Sequence, residues 1–238
     1  MLFRSRNRGA QVVVGPLAKG LVTELESRDS VPLPTLALNY GDNPGNRANG
    51  LFQYGLSAED EARQVARRGR EDGHHRSALL VPNNEWGSRV GRAFTEAWSE
   101  NGGAITNSVS YNPQGAATES TRQAVSGGHP DMLFLLALPS YARQVPPNLD
   151  YIGANDLPIY ATSHLYEGRP QPLLDHDLDD VYFVDIPWQI PDAAVGGVEA
   201  LPYLDSYREL LPEADPGTFR LMAMGVDAYE LARRLPQL

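Results

Sequence analysis

Residues 131–138 read Asp-Met-Leu-Phe-Leu-Leu-Ala-Leu, bounded by His129-Pro130 and Pro139-Ser140. No polar side chain follows the leading aspartate, so the segment has no face to offer water. It is also far shorter than the ~18–20 apolar residues that a membrane span needs. The pattern predicts a strand buried on both faces, the kind found in parallel sheets covered by helices on either side.

The rest of the chain alternates in the same sense. Residues 11–15 (Gln-Val-Val-Val-Gly) predict a strand, and Leu17, Leu21, Val22 and Leu25 follow at helical spacing. Residues 34–39 predict a second strand, 40–50 a Gly/Asn/Pro-rich loop, and 51–54 a return to extended backbone. Ser57 is placed as an N-cap, with Asp60 three residues on and Glu59 and Glu61 favouring the positive helix end. Ala58, Ala62, Val65 and Ala66 form that helix's apolar stripe. Strands are then expected at 77–82, 105–111, 158–162 and 181–186. Helices are expected through Val90–Trp98, at 118–125, from Ser140, at 201–211 and at 219–235. Strand–helix alternation implies right-handed crossovers and mainly parallel sheet, hence an α/β fold. The proline-rich stretches 139–147, 170–172 and 187–191 are candidate connections between lobes.

Charge narrows the partners. Thirty acids against twenty Lys+Arg give a net charge of −10, which disfavours nucleic acid and anionic membrane, since both are bound through clustered cations. With no cysteine, disulfides, thiolate metal sites and cysteine nucleophiles are all removed. The first nine residues carry basic side chains but no apolar stretch or cleavage site of the kind that marks an export signal.

Catalytic signatures are missing. The sequence has no G-x-G-x-x-G, phosphate loop, H-E-x-x-H or G-x-S-x-G. The single lysine, Lys19, reads as a solvated side chain at a helix start. Asp175, Asp177 and Asp179 hold positions 1, 3 and 5 of a would-be calcium loop, but Asp180 stands where glycine is needed and Ile186 where glutamate is needed. We therefore read 175–180 as a solvated acidic loop and expect no metal, no cofactor and no catalytic residue. His74-His75 sit where a helix ends, suited to bonding its last carbonyls.

Position supplies the remaining candidates. In parallel α/β sheets, ligands lie beyond the carboxyl ends of the strands. The post-strand residues Leu17, Asn39, Tyr40, Asn83, Ser140, Ser163 and Trp188 are thus expected to face a shared groove between the lobes. Taken singly, each also suits a turn.

Six segments, in order along the chain, carry a resemblance: 12–19 (Val-Val-Val-Gly-Pro-Leu-Ala-Lys), 36–39 (Leu-Ala-Leu-Asn), 52–63 (Phe-Gln-Tyr-Gly-Leu-Ser-Ala-Glu-Asp-Glu-Ala-Arg), 78–90 (Ala-Leu-Leu-Val-Pro with Gly-Ser-Arg-Val), 159–163 (Ile-Tyr-Ala-Thr-Ser) and 222–229 (Met-Ala-Met-Gly-Val-Asp-Ala-Tyr). The chain resembles the C-terminal domain of the LppC/LpoA family, outer-membrane lipoprotein activators of penicillin-binding proteins. The resemblance implies two Rossmann-like lobes of the type I periplasmic-binding-protein kind. Residues 1–55 with 165–238 would form lobe one, and 56–164 lobe two.

It also implies a non-enzymatic periplasmic regulator at the inner face of the outer membrane. Its partner would be a class A penicillin-binding protein, a peptidoglycan synthase, and it would reach the membrane only through a lipid anchor absent from this chain. The rival expectation is a solute-binding protein that captures an amino acid or other small ligand. Family members have two β/α units before the Gly-Pro-Leu turn and further strands after the last helix, so the chain is expected to be a fragment with lobe one incomplete. The acidic loop Asp175, Asp177, Asp179 and Asp180 is the expected partner-facing surface.

Overall fold

A computed structural model describes residues 9–43, 48–191, 194, 196–210, 212 and 218–235. The chain divides into two units, Met1–Leu56 with Pro191–Leu238, and Ser57–Ile190.

In the first unit, β1 (Val13–Val14) leads through α1 (Lys19–Glu26) to β2 (Ser30–Ala37), and β3 (Asn49–Gln53) completes a parallel sheet of order β1-β2-β3. Pairing of β2 with β3 is irregular between Ser30 and Thr35. Pro32 and Pro34 fall in that break, where a residue lacking an N–H costs the ladder least.

The second unit opens with α2 (Ala58–Glu71), β4 (Arg76–Pro82), α3 (Glu85–Glu100) and β5 (Ala104–Tyr111). It continues through α4 (Thr118–Val125), β6 (Met132–Leu135), α5 (Pro139–Ala142), α6 (Val145–Tyr151), β7 (Ile159–Ala161), α7 (Pro172–Asp175) and β8 (Tyr182–Phe183). The last two helices, α8 (Leu204–Leu210) and α9 (Phe219–Arg234), belong to the first unit, where Ala228 and Ala232 of α9 cluster with Leu36 of β2.

All pairings in the five-stranded sheet are parallel, in the order β5-β4-β6-β7-β8. Side-chain alternation splits its core in two. Ala78, Leu80, Leu133 and Leu135 face a cluster with Ala124, Tyr141, Val145 and Leu149 from α4, α5 and α6. Leu79, Val81, Met132 and Phe134 face the opposite cluster, built with Val65, Val90, Phe94 and Trp98 from α2 and α3. Residues 132–137 are all buried, as a strand covered on both faces requires. Phe134 stacks on Phe94 at 4.1 Å between ring centroids, and Trp98 Nε1 donates to the Ala104 carbonyl at 2.9 Å.

At the outer strand β5, the register with β4 slips between Ser77 and Ala78, and the Ser108 N–H is taken by Asn107 Oδ1 at 2.9 Å. The Asn107 amide in turn donates to the carbonyl of Gln123 on α4.

The units divide after Leu56, but the expected return to lobe one at residue 165 does not occur. Residues 165–190 stay with the second unit because β8 pairs with β7, and Leu165 and Leu178 join the Leu80–Leu135 core. The proline-rich stretches 139–147 and 170–172 are not connections between units either. They start helices α5, α6 and α7, each with proline in its first turn, where the missing N–H would have no helical partner anyway.

Candidate functional site

The strand order of the second unit reverses between β4 and β6, so the crevice beyond their carboxyl ends is the topological switch point of this sheet. Asn83 and Asn84 follow β4, and Pro139 and Ser140 stand just beyond β6. Asn83 and Ser140 are exposed. Asn84 caps α3, its side chain accepting from the Gly87 N–H at 2.8 Å.

Next to this crevice the carboxyl end of β7 is tied to α2. Ser57 caps α2 by accepting from the Asp60 N–H, which sets Glu61 in the first turn. Glu61 Oε2 accepts from the Ser163 N–H at 2.7 Å, and Oε1 accepts from the Ser163 hydroxyl at 3.0 Å. His164 Nδ1 lies 3.0 Å from Thr162 Oγ1 and 3.8 Å from Glu61, and the edge of its ring meets Trp86 at 5.0 Å. Thr162 and Ser163 are buried. By taking two donors from one serine, the Glu61 carboxylate fixes the loop after β7 to α2.

In the first unit, Asn39 Nδ2 donates to the Leu17 carbonyl at 2.9 Å, and its Oδ1 accepts from the Tyr40 N–H at 2.9 Å. The amide therefore joins the loops after β1 and β2, while Leu17 and Tyr40 are exposed. The seven post-strand residues thus fall in two sets: Leu17, Asn39 and Tyr40 in one unit, Asn83, Ser140, Ser163 and Trp188 in the other. Trp188 is buried, five residues past the end of β8.

Sequence reasoning missed a polar core in the first unit. Glu26 is fully buried, accepting from Gln53 Nε2 at 2.7 Å and from the Asn43 N–H at 3.1 Å, while Gln53 Oε1 accepts from the Gly41 N–H. A Cβ on Gly41 would lie 2.0 Å from Glu26 Oε2, so only glycine lets the loop come this close. The available signal was that Glu26 shares the inward stripe of α1 with Val22 and Leu25. Lys19, read as merely solvated, pairs with Asp42 at 2.7 Å; both are more than half exposed, so the pair adds little stability.

The acidic segment 175–180 is helical at its start, running from the end of α7 through a 3-10 turn at His176–Leu178 into a turn at 179–180. Its aspartates are not equivalent. Asp175 is paired with Arg143 at 2.8 Å and accepts from the Gln171 N–H, whereas Asp179 and Asp180 are exposed. Among the described residues, no group of three or more acids or histidines is arranged to hold a metal, and no helix is long and apolar enough to cross a membrane.

Tyr160 of β7 donates to Asp72 Oδ2 at 2.8 Å, and Arg68 Nε meets the same oxygen at 2.8 Å. The Arg68 bond, aided by Tyr160, holds the Asp72 carboxyl below its usual range. Burial, reinforced by Asp72, pushes the Tyr160 hydroxyl upward.

Known proteins share this sequence and fold. The chain is 29% identical over its full length to the penicillin-binding protein activator LpoA of Edwardsiella piscicida and to that of Escherichia coli K12. It spans about two fifths of the length of these curated relatives. The C-domain of Haemophilus influenzae LpoA, described as a regulator of PBP1A, superposes with a TM-score of 0.79 at 26% identity over 99% of this chain and 72% of that one. A Chromobacterium violaceum structure described as "a putative branched-chain amino acid ABC transporter" gives a TM-score of 0.75 at 30% identity, covering all of this chain and 73% of that one. The family model described as "LppC putative lipoprotein" matches residues 2–123 and 115–238, and the chain belongs to that family.

Proposed function

We propose that this chain is a non-enzymatic regulator that binds a class A penicillin-binding protein on the periplasmic side of the outer membrane and stimulates peptidoglycan synthesis. The observation that carries the reading is collinear similarity over the whole chain to LpoA activators, including the C-domain described as a regulator of PBP1A. Attachment to the membrane is through a lipid anchor, in keeping with the family's description as lipoproteins. To activate, the chain must contact the active form of its synthase better than the resting form. An acidic protein of net charge −10 steers toward a basic patch, so association slows as salt rises through the physiological range.

The Chromobacterium likeness favours a second reading, capture of an amino acid. Such a site needs donors for a carboxylate and an acid for an ammonium group. Here the Asn39 amide already joins the loops after β1 and β2, and the Glu61 carboxylate already holds the loop after β7. That commitment supports the regulator over the solute binder.

The test is immobilised chain against the organism's own class A penicillin-binding protein, with glycan polymerisation followed in parallel. Specific binding with a raised polymerisation rate is expected. Absence of both, together with sub-micromolar binding of leucine, isoleucine or valine in a thermal-shift titration, would transfer the function to transport.

A further inference from the structure

Two depressions share one turn of the second unit. The first is an apolar groove of about 350 Å³ beside α7, floored by Leu165, Tyr166, Leu178, Val181 and Phe183. On α7 itself, Leu173 and Leu174 are 90% and 51% exposed, a display of leucine that a solvated helix has no reason to make. The second is an open depression of about 590 Å³ at the amino ends of β7 and β8, lined by Asp150, Asp156, Asp177, Asp179 and Asp180. Asp179 and Val181 line both.

The charge here is not balanced from within. Asp150, Asp156, Asp179 and Asp180 have no ion-pair partner among the described residues. Arg143 is held by Asp175 at 2.8 Å. Asp150 also lies in the last turn of α6, where the helix dipole disfavours an anion. Four unpaired carboxylates around one depression repel one another, and cations brought by a partner relieve that repulsion.

We propose that this double surface is a docking site for a protein segment carrying an apolar side chain beside at least two Lys or Arg residues. The apolar side chain enters the groove at Leu165–Phe183, and the cations occupy the aspartate-lined depression. The inference rests on the regulator reading for the identity of its partner, the synthase, and on the geometry alone for the chemistry of the segment.

The test uses the full chain and two probes: the organism's class A penicillin-binding protein, and a synthetic peptide alternating leucine and arginine. Three variants are compared with wild type. Asp150→Asn, Asp156→Asn, Asp179→Asn and Asp180→Asn together remove the charge of the depression's four unpaired carboxylates, and Pro170→Trp fills the mouth of the groove. As a control of equal charge change, Glu71→Gln, Glu85→Gln, Glu96→Gln and Glu100→Gln alter exposed acids elsewhere.

Both site variants should bind each probe about tenfold more weakly, while the control stays within about twofold, as expected for a local contact as opposed to net charge. Peptide binding that is lost in the site variants when wild type fails to bind the synthase would sustain the surface and dismiss the regulator reading. Equal weakening in the control, unchanged affinity in the site variants, or no binding of either probe to wild type would overturn the proposal.

Discussion

Replacing Gly87 by alanine tests how α3 is seated on its own sheet. A Cβ at Gly87 would lie 1.8 Å from the Pro82 carbonyl oxygen and 2.8 Å from its carbon. To reach the ~3.3 Å at which carbon and carbonyl oxygen ordinarily meet, helix and strand must part by about 1.5 Å. Neither can yield by rotating a side chain, because the obstacle is backbone at the end of β4. Overpacking of this kind costs about 3 kcal/mol. Moving the helix start also strains the Asn84 cap, worth ~1 kcal/mol, while alanine's helical preference returns at most ~1.

The net is a destabilisation of about 3 kcal/mol, or about 9 °C in Tm for a unit of this size. One turn further on, Gly91→Ala places its Cβ 3.5 and 3.7 Å from the Val81 methyls, ordinary contact distances. That variant should gain up to ~1 kcal/mol. Trp86, Trp98 and Trp188 all belong to the second unit, so tryptophan fluorescence during urea or thermal unfolding reads that unit without the other. Shifts of the same sign in the two variants, or a Gly87→Ala midpoint within about 2 °C of wild type, would refute the reasoning.

Phe134→Ala removes a fully buried ring stacked on Phe94 and should cost about 3–5 kcal/mol by urea denaturation; a loss below ~2 would mean the core closes over the gap. Burial, followed for Tyr54 and Tyr160 by the carboxylates of Asp227 and Asp72, raises the hydroxyl pKa of Tyr54, Tyr111 and Tyr160 above the ordinary tyrosine range. These groups keep their protons in the folded state after the unfolded chain has lost them. Their stabilisation is therefore complete below about pH 10 and declines as pH rises beyond it. Phenolate absorbance should show at least three of the eleven tyrosines ionising only as the fold is lost, and ionisation of all eleven with circular dichroism intact would contradict this. Gly41→Ala should displace Glu26 from Gln53 and Asn43 and speed amide exchange at Asn43, leaving tryptophan fluorescence of the second unit unchanged.

The class of fold was legible because its evidence is local. The 131–138 run, the Ser57 cap and the strand–helix alternation each depend on neighbouring residues, and the structure has all three. Proline misled in both directions. Pro32 and Pro34 hid the first half of β2, which crosses them at a break in pairing, and Pro146-Pro147 disguised the first turn of α6 as a connection. The end of the second unit was not legible, because pairing of β8 with β7 joins residues more than twenty apart and leaves no mark on composition. At the candidate sites, sequence could nominate Asn39 and Ser163 as post-strand polar residues. It could not reveal that one is held by Leu17 and Tyr40 and the other by Glu61, since those partners are set by the fold.

The outer strand β5 limits how this protein can meet others. An exposed strand normally offers a ladder of free N–H and C=O groups to any extended chain, the route by which sheets grow from one molecule into the next. Here Asn107 occupies the Ser108 N–H, and its amide fastens the strand to α4. At this point on β5 a backbone donor and a side-chain amide are already engaged within the unit, so an incoming strand would have to displace them before it could pair there.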